Sequence, residues 1–233
     1  MAPHAGGSPS IEAVAGAGFH PPIEEYLEAI YELQEEGVAV IQARLAERLG
    51  HSAPSVSEMV GRLRSDGFVV AEGRSLTLTA KGHRRAESVV RKHRLAERLL
   101  TDVIGLEWHK THLEACRWEH VISDEVEARL VALLGNPTTC PHGNPIPGTE
   151  APSRRLTALS DSRPGDRVRL ERVTEQVEVD MESLTYLDTH GFIPGTDAEV
   201  SDRAADGTLT LKLEGGTIEL APDLAGQLYV AAG

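Results

Sequence analysis

One break in the residue pattern constrains this chain more than any other feature. From Asn136 to Asp166 the sequence carries prolines at 137, 141, 145, 147, 152 and 164. Proline lacks a backbone N–H and fixes its own φ, so no long helix and no central strand runs through such a stretch. Before it, apolar residues recur at helical spacing; after it, they alternate. This order predicts a mainly α protein with a C-terminal β domain, and the proline-rich segment reads as a linker between domains. With 233 residues the chain has room for one large domain or two to three small ones.

The first block opens at Pro21-Pro22 with a helix from 23 to about 36, its apolar positions at Ile23, Tyr26, Leu27, Ile30 and Leu33. A short helix over 41–49 stops at Gly50. The next starts near Ser52 with Pro54 in its first turn, where a missing N–H costs little, and ends at Gly67. Alternation over 68–71 and 75–79, broken by a turn at Glu72-Gly73-Arg74, predicts a two-stranded ribbon. Helix, turn, helix and ribbon spell a winged helix-turn-helix, a fold whose second helix enters the DNA major groove.

The second block is helical. Thr79 is placed to cap a helix to about 104, a second covers about 109–121, and Ser123 caps a third ending at Leu134 before Gly135. The third block, 156–233, alternates over 166–173 and carries hairpin signals at Asp206-Gly207 and Gly215-Gly216. One short helix, about 181–190, interrupts it. A small barrel of the SH3 type is the expectation.

The net charge of −13 argues against a nucleic-acid partner until its distribution is examined. Residues 40–94 hold eleven Lys/Arg against five acids, a surplus of six that leaves −19 for the remainder. A basic segment inside an acidic chain still offers a phosphate-binding footprint. No stretch approaches the roughly 20 apolar residues of a membrane span. The N-terminal residues 1–20 read as a disordered tail without the features of a signal peptide. Two cysteines form no disulfide framework, so a cytoplasmic location is expected.

The residues best suited to chemistry are Cys116-Arg-Trp-Glu119-His120. Positions i, i+3 and i+4 share one helical face, so thiolate, carboxylate and imidazole converge there. That mixture suits a borderline divalent transition metal better than Ca²⁺ or Mg²⁺. The ordinary alternative is a buried Cys beside a surface Glu/His pair. His93 and Glu97 form an i, i+4 pair on the preceding helix, and His112 lies one turn before Cys116. His4, His20, His51 and His142 read as loop residues without partners. The sequence contains no G-x-S-x-G, P-loop or dinucleotide fingerprint, and Cys116 with His120 lacks an oxyanion arrangement, so nothing marks the chain as an enzyme.

The stretches RKHRLAERLL (91–100), EACRWEHVISDEVE (114–127) and GNPIPG (143–148), with EYLEAIYELQEEG (25–37), resemble the diphtheria toxin repressor family of iron- and manganese-dependent regulators. The resemblance implies a winged-helix DNA-binding domain (21–82), a helical dimerisation and metal-binding domain (83–135), a linker (136–155) and an SH3-like domain (156–233). It implies two metal sites per subunit, for Mn²⁺ or Fe²⁺. The primary site would use Glu25, Cys116, Glu119 and His120; the ancillary site would use His93, Glu97 and His112 with Asp180 from the third domain. Ser183 stands where the family often has a longer amide. Iron-responsive members carry a methionine at the position of Glu25, and Glu28 matches a second carboxylate of the manganese type. A hard carboxylate in place of a thioether moves the expected metal toward Mn²⁺, while Cys116 keeps Fe²⁺ as the alternative.

On the DNA side, Ser52, Pro54 and Ser55 match recognition-helix positions of the family and Arg44 a phosphate-contacting one. Glu58 replaces a familiar glutamine and Gln42 an arginine, so the operator is expected to differ. The implied partners are double-stranded operator DNA and a second copy of the chain, with no membrane and no small-molecule substrate. In the expected mechanism one metal bridges the first helix and the helical domain, fixing the separation of two recognition helices in a homodimer. The competing classes are a metal-dependent hydrolase and a metal-independent winged-helix regulator.

Overall fold

The structure, a computed structural model, describes residues 22–150 and 155–233. The tail read over 1–20, His4, His20 and Pro152 lie outside the described residues. Helix α1 spans Pro22–Glu35, and its apolar stripe puts Tyr26, Leu27, Ile30 and Leu33 in the core. Helix α2, Gln42–Leu49, ends where Gly50 takes φ 66°, a left-handed turn that glycine adopts without a Cβ penalty. Helix α3, Ala53–Ser65, begins at Ser52, whose hydroxyl accepts the Ser55 N–H at 3.3 Å. Val56, Val60 and Leu63 face inward, leaving the opposite side of α3 to solvent. Strands β1 (Val69–Glu72) and β2 (Ser75–Leu78) pair antiparallel from Val69↔Leu78 to Glu72↔Ser75 around a tight turn. The winged helix-turn-helix expected from the sequence is present.

Thr79 caps helix α4, Ala80–Arg98, its Oγ1 accepting the Gly82 N–H at 3.1 Å. The helix expected to run on regularly to 104 instead widens into π-helical turns over Leu99–Ile104. The next helix is shorter than the expected 109–121. A 3₁₀ turn at Trp108–Lys110 leads into α5, Thr111–Trp118. Helix α6, Asp124–Leu133, starts at the predicted Ser123 cap.

The third block is a six-stranded antiparallel sheet of the SH3-like type in the order β3-β8-β4-β5-β6-β7. Its strands are β3 (Thr157–Ala158), β4 (Arg167–Val173), β5 (Asp197–Arg203), β6 (Leu209–Leu213), β7 (Gly216–Leu220) and β8 (Leu228–Ala232). Three short helices accompany it: α7 (Glu175–Glu178), α8 (Met181–Thr189) and α9 (Pro222–Gly226). Periodicity announces only α8, because a helix of four or five residues is too short to show a 3.6-residue repeat. The core of this block includes Leu170, Val173, Leu184, Phe192, Val200 and Leu211, and Trp108 of the helical block is built into it.

The proline-rich segment departs from expectation. Residues 136–150 are not a solvated spacer: Cys140, Pro141, His142, Asn144, Ile146 and Pro147 are buried. The Cys140 N–H donates to Asn144 O at 2.8 Å, the Val173 N–H to His142 O at 2.9 Å, and Trp108 Nε1–H to Pro141 O at 3.0 Å. At Gly143, φ is 89° and a Cβ would stand 1.9 Å from Glu171 O, so the loop lies backbone to backbone against β4. Prolines here shape a tight turn that seals the helical block onto the sheet.

Candidate metal centre and DNA-binding surface

Four elements and one loop send their polar side chains into one buried space. Helix α4 supplies His93 and Glu97, one turn apart and both buried. Helix α5 supplies His112 and Cys116, with Glu119 and His120 at its C-terminal end. Helix α1 supplies Glu24 and Glu28, the 140–146 loop supplies Cys140 and His142, and α7 supplies Glu178. The side chains of Glu97, His120, His142 and Glu178 are fully buried.

The contacts form a continuous chain. His120 Nε2 lies 3.0 Å from Glu119 Oε1, and the other Glu119 oxygen is 2.5 Å from His93 Nδ1. His93 Nε2 meets His112 Nδ1 at 3.1 Å and Glu97 Oε1 at 3.3 Å. His112 Nε2 is 3.7 Å from Cys116 Sγ, and its Nδ1 is 3.1 Å from Glu178 Oε2. His142 Nδ1 is 3.0 Å from both Glu97 Oε1 and Glu178 Oε2. Four groups bring ligand atoms within 4.8 Å of one another: His93/His112/Cys116, His93/Glu97/His112/Glu178, Glu97/Cys140/His142 and Glu28/His93/Glu119.

Burial and close opposite charges shift the ionisable groups of this cluster in opposing directions. Burial opposes ionisation of Glu119, yet His120 and His93 hold its carboxyl at about 2. Burial likewise disfavours an imidazolium at His120, but Glu119 and Glu24 push it up to about 9. Burial, with Glu119 and Glu32 nearby, raises the Glu28 carboxyl well above its usual range. Burial and then Glu97 push the Cys140 thiol up to about 12. Glu97 Oε2 and His142 Nε2 have no hydrogen-bond partner among the described residues, although both are buried. Orphaned buried donors and acceptors of this kind carry a desolvation penalty. Sulfur, imidazole and carboxylate groups gathered in one buried space fit a divalent transition metal.

The positions expected from sequence fare differently. Cys116, Glu119, His120, His93, Glu97 and His112 all join the cluster, although the structure sets Cys116 beside His112 and His93. Glu25 is half-buried on α1, one turn before Glu28. Asp180 is used elsewhere: Oδ1 caps α8 by accepting the Glu182 and Ser183 N–H at 3.1 and 3.3 Å, and Ser183 Oγ donates to Oδ2 at 2.7 Å. The third domain's carboxylate in the cluster is Glu178, two residues earlier. His142, read as a partnerless loop residue, joins the cluster through Glu97 and Glu178, and His51 shares a 2.8 Å hydrogen bond with the Tyr26 hydroxyl. Cys140-Pro-His142 was the sequence signal for these two loop residues, since i and i+2 in a tight turn can face one point.

On the winged-helix block, the side chains expected to meet DNA are open to solvent. Ser52, Pro54, Ser55 and Glu58 on α3 and Gln42 and Arg44 on α2 are exposed, flanked by exposed Arg62, Arg64 and, at the ribbon turn, Arg74.

A winged helix-turn-helix coupled to a buried cluster of metal-ligating side chains defines a metal-dependent transcriptional repressor. Models of the iron-dependent repressor N-terminal DNA-binding domain, the iron-dependent repressor metal-binding and dimerisation domain and the FeoA domain match residues 19–75, 79–148 and 157–232. The chain belongs to the diphtheria toxin repressor family. It is 47% identical over 218 residues to the diphtheria toxin repressor of Corynebacterium diphtheriae, covering 89% of this chain and 95% of that one. It is also 47% identical over 205 residues to the iron-dependent repressor IdeR of Mycobacterium tuberculosis, covering 82% and 88%. Among solved structures, a manganese-dependent transcriptional repressor in complex with manganese matches with a TM-score of 0.81 and 32% identity, over 91% of this chain and all of that one.

Proposed function

We propose that this chain represses transcription as a homodimer on operator DNA when loaded with manganese(II), and that it is not an enzyme. The observation that carries the metal choice is the grouping of Glu28 with His93 and Glu119, which brings a hard carboxylate from α1 against ligands of α4 and α5. Two sites per subunit are proposed. One is built from Glu119, His120 and Cys116 with Glu25 and Glu28; the other from Glu97, His142, Cys140 and Glu178, with His93 and His112 between them. A bound divalent ion would supply positive charge to the converging carboxylates and a ligand sphere shared by both blocks.

The chain's own residues then explain the coupling. Helix α1 belongs to the winged-helix block (21–82), yet Glu24 and Glu28 face the helical block (83–135). Whatever orders that cluster orders α1, and with it α3. On the helical block Val103, Ile104, Val121, Val126 and Leu133 are large apolar side chains left 47–66% exposed. Apolar side chains left this exposed are candidates for an interface, and a second copy is the proposed occupant. In such a dimer the orientation of α1 sets the distance between two α3 helices, which must match half-sites about one helical turn apart, or a multiple of it. A cytoplasmic location accords with this role; no helix among the described residues is long and apolar enough to cross a membrane.

Iron(II) is the second reading, favoured by the Cys116 thiolate and by the 47% identity to a repressor named for iron. Anaerobic fluorescence anisotropy of labelled operator candidates with Mn²⁺, Fe²⁺ or chelator separates the two. Tight binding at micromolar Mn²⁺ with weak response to Fe²⁺ supports manganese. Equal or better response to Fe²⁺ assigns iron, and binding indifferent to chelator rejects metal control.

A further inference from the structure

Arg94 lies one turn from the C-terminal end of α4 with its side chain fully buried. A guanidinium does not give up its charge, so a buried one persists only where acceptors surround it. Here the acceptors come from three separate parts of the chain. Nη1 and Nη2 donate to the two carboxylate oxygens of Glu35 at 3.1 and 2.7 Å, a two-pronged grip on the last residue of α1. Nη2 also donates to Glu175 Oε1 at 2.9 Å, at the start of α7 in the SH3-like domain. Nη1 donates further to the carbonyl of Pro145 in the sealed loop. Arg48 of α2 closes the same patch, pairing with Glu36 at 2.7 Å and Glu32 at 3.5 Å.

Helix α7 is a single turn that touches both patches. Glu175 reaches Arg94 with Oε1 at 2.9 Å and comes within 3.8 Å of His112 Nδ1 with Oε2, while Glu178, one turn later, lies 3.1 Å from His112 and 3.0 Å from His142 in the cluster. The rise over three residues is only about 4.5 Å, so one short helix registers both contacts together. Glu97 and Glu178 approach the same His142 nitrogen, so their like charges oppose the seating of α7 until cations balance them.

We propose that Glu175 and Arg94 are positioning residues through which the SH3-like domain holds α1, and hence the recognition helix, in the orientation that reads the operator. This rests on the metal-dependent repressor reading and adds a route to it: cluster to Glu178, α7 to Glu175, Arg94 to Glu35. Seating α7 completes the grip on α1; releasing α7 leaves Glu35 and Arg94 to a looser pairing.

The test uses the full-length chain as wild type, Glu175→Gln, Glu35→Gln and the double variant, each at saturating Mn²⁺. Operator affinity is read by anisotropy, Mn²⁺ stoichiometry by competition with a fluorescent chelator, and local order by hydrogen exchange. Each single variant is expected to lose about 5- to 50-fold in operator affinity, with the double no weaker than the worse single, because both act through Arg94. Removing a negative charge by itself would strengthen DNA binding, so a loss is the opposite of the simple charge effect. Mn²⁺ stoichiometry stays as in wild type, and faster exchange is confined to α1. Wild-type affinity in Glu175→Gln, additive losses in the double, or faster exchange throughout β4–β8 each overturn the proposal. If wild type itself ignores Mn²⁺ and chelator, the repressor reading fails instead, and that outcome is visible before any variant is compared.

Discussion

Glu24 and His120, 96 residues apart, meet at 2.6 Å between a carboxylate oxygen and Nδ1, with Arg85 paired to the other oxygen of Glu24. A carboxylate that accepts the Nδ1–H leaves Nε2 as the nitrogen that faces Glu119. The contact also joins α1 of the winged-helix block to the end of α5. Glu24→Ala is expected to lower Mn²⁺ affinity about 10- to 100-fold, while Glu24→Gln, whose amide oxygen still accepts the proton, retains most of it. Chelator competition reads both; equal affinities for the two variants would remove the orienting role.

Glu178 and Asp180 are two residues apart and have different tasks. Glu178→Ala should abolish one metal equivalent per subunit in a stoichiometric titration. Asp180→Ala should keep the metal and lose about 1 kcal/mol of stability with the α8 cap. Loss of metal from the Asp180 variant would contradict the placement of the two carboxylates.

Gly143 combines a positive φ with contact against the β4 backbone. Gly143→Ala adds a Cβ where Glu171 O already stands, so the loop must lift off β4 and carry His142 and Cys140 with it. The expected result is a destabilisation of several kcal/mol in thermal or urea unfolding. Normal stability with normal metal uptake would show that the loop tolerates displacement.

The exposed face of α2 and α3 separates positioning from reading. Arg44→Ala should weaken binding to all sequences alike and reduce the salt slope of log K by about one. Glu58→Gln should change which bases are preferred, measured by selection from a randomised operator. An unchanged preference would place Glu58 outside the base-reading set.

Much of this protein is local and therefore legible in one dimension. Ser52, Thr79 and Ser123 cap their helices through neighbours three residues away, and the apolar stripe of α1 and the glycine turns follow from spacing alone. The spacings His93/Glu97 and Cys116/Glu119/His120 likewise mark candidate ligands because a helix puts i, i+3 and i+4 on one face. The sequence by itself thus determined the order of domains, the capped helices and the helix-borne half of the cluster.

Tertiary structure decided what joins them. Whether Glu178 or Asp180 enters the cluster depends on where a four-residue helix docks, and no periodicity reports that. Cys140, His142 and the segment read as a linker became a buried joint because Trp108, Gly143 and β4 enclose them. Arg94 looks like any surface arginine in the sequence; it is buried because Glu35, Glu175 and Pro145 approach it from three directions. Such contacts span up to 96 residues of chain, as between Glu24 and His120, and their energy exists only once the packed interior has excluded water.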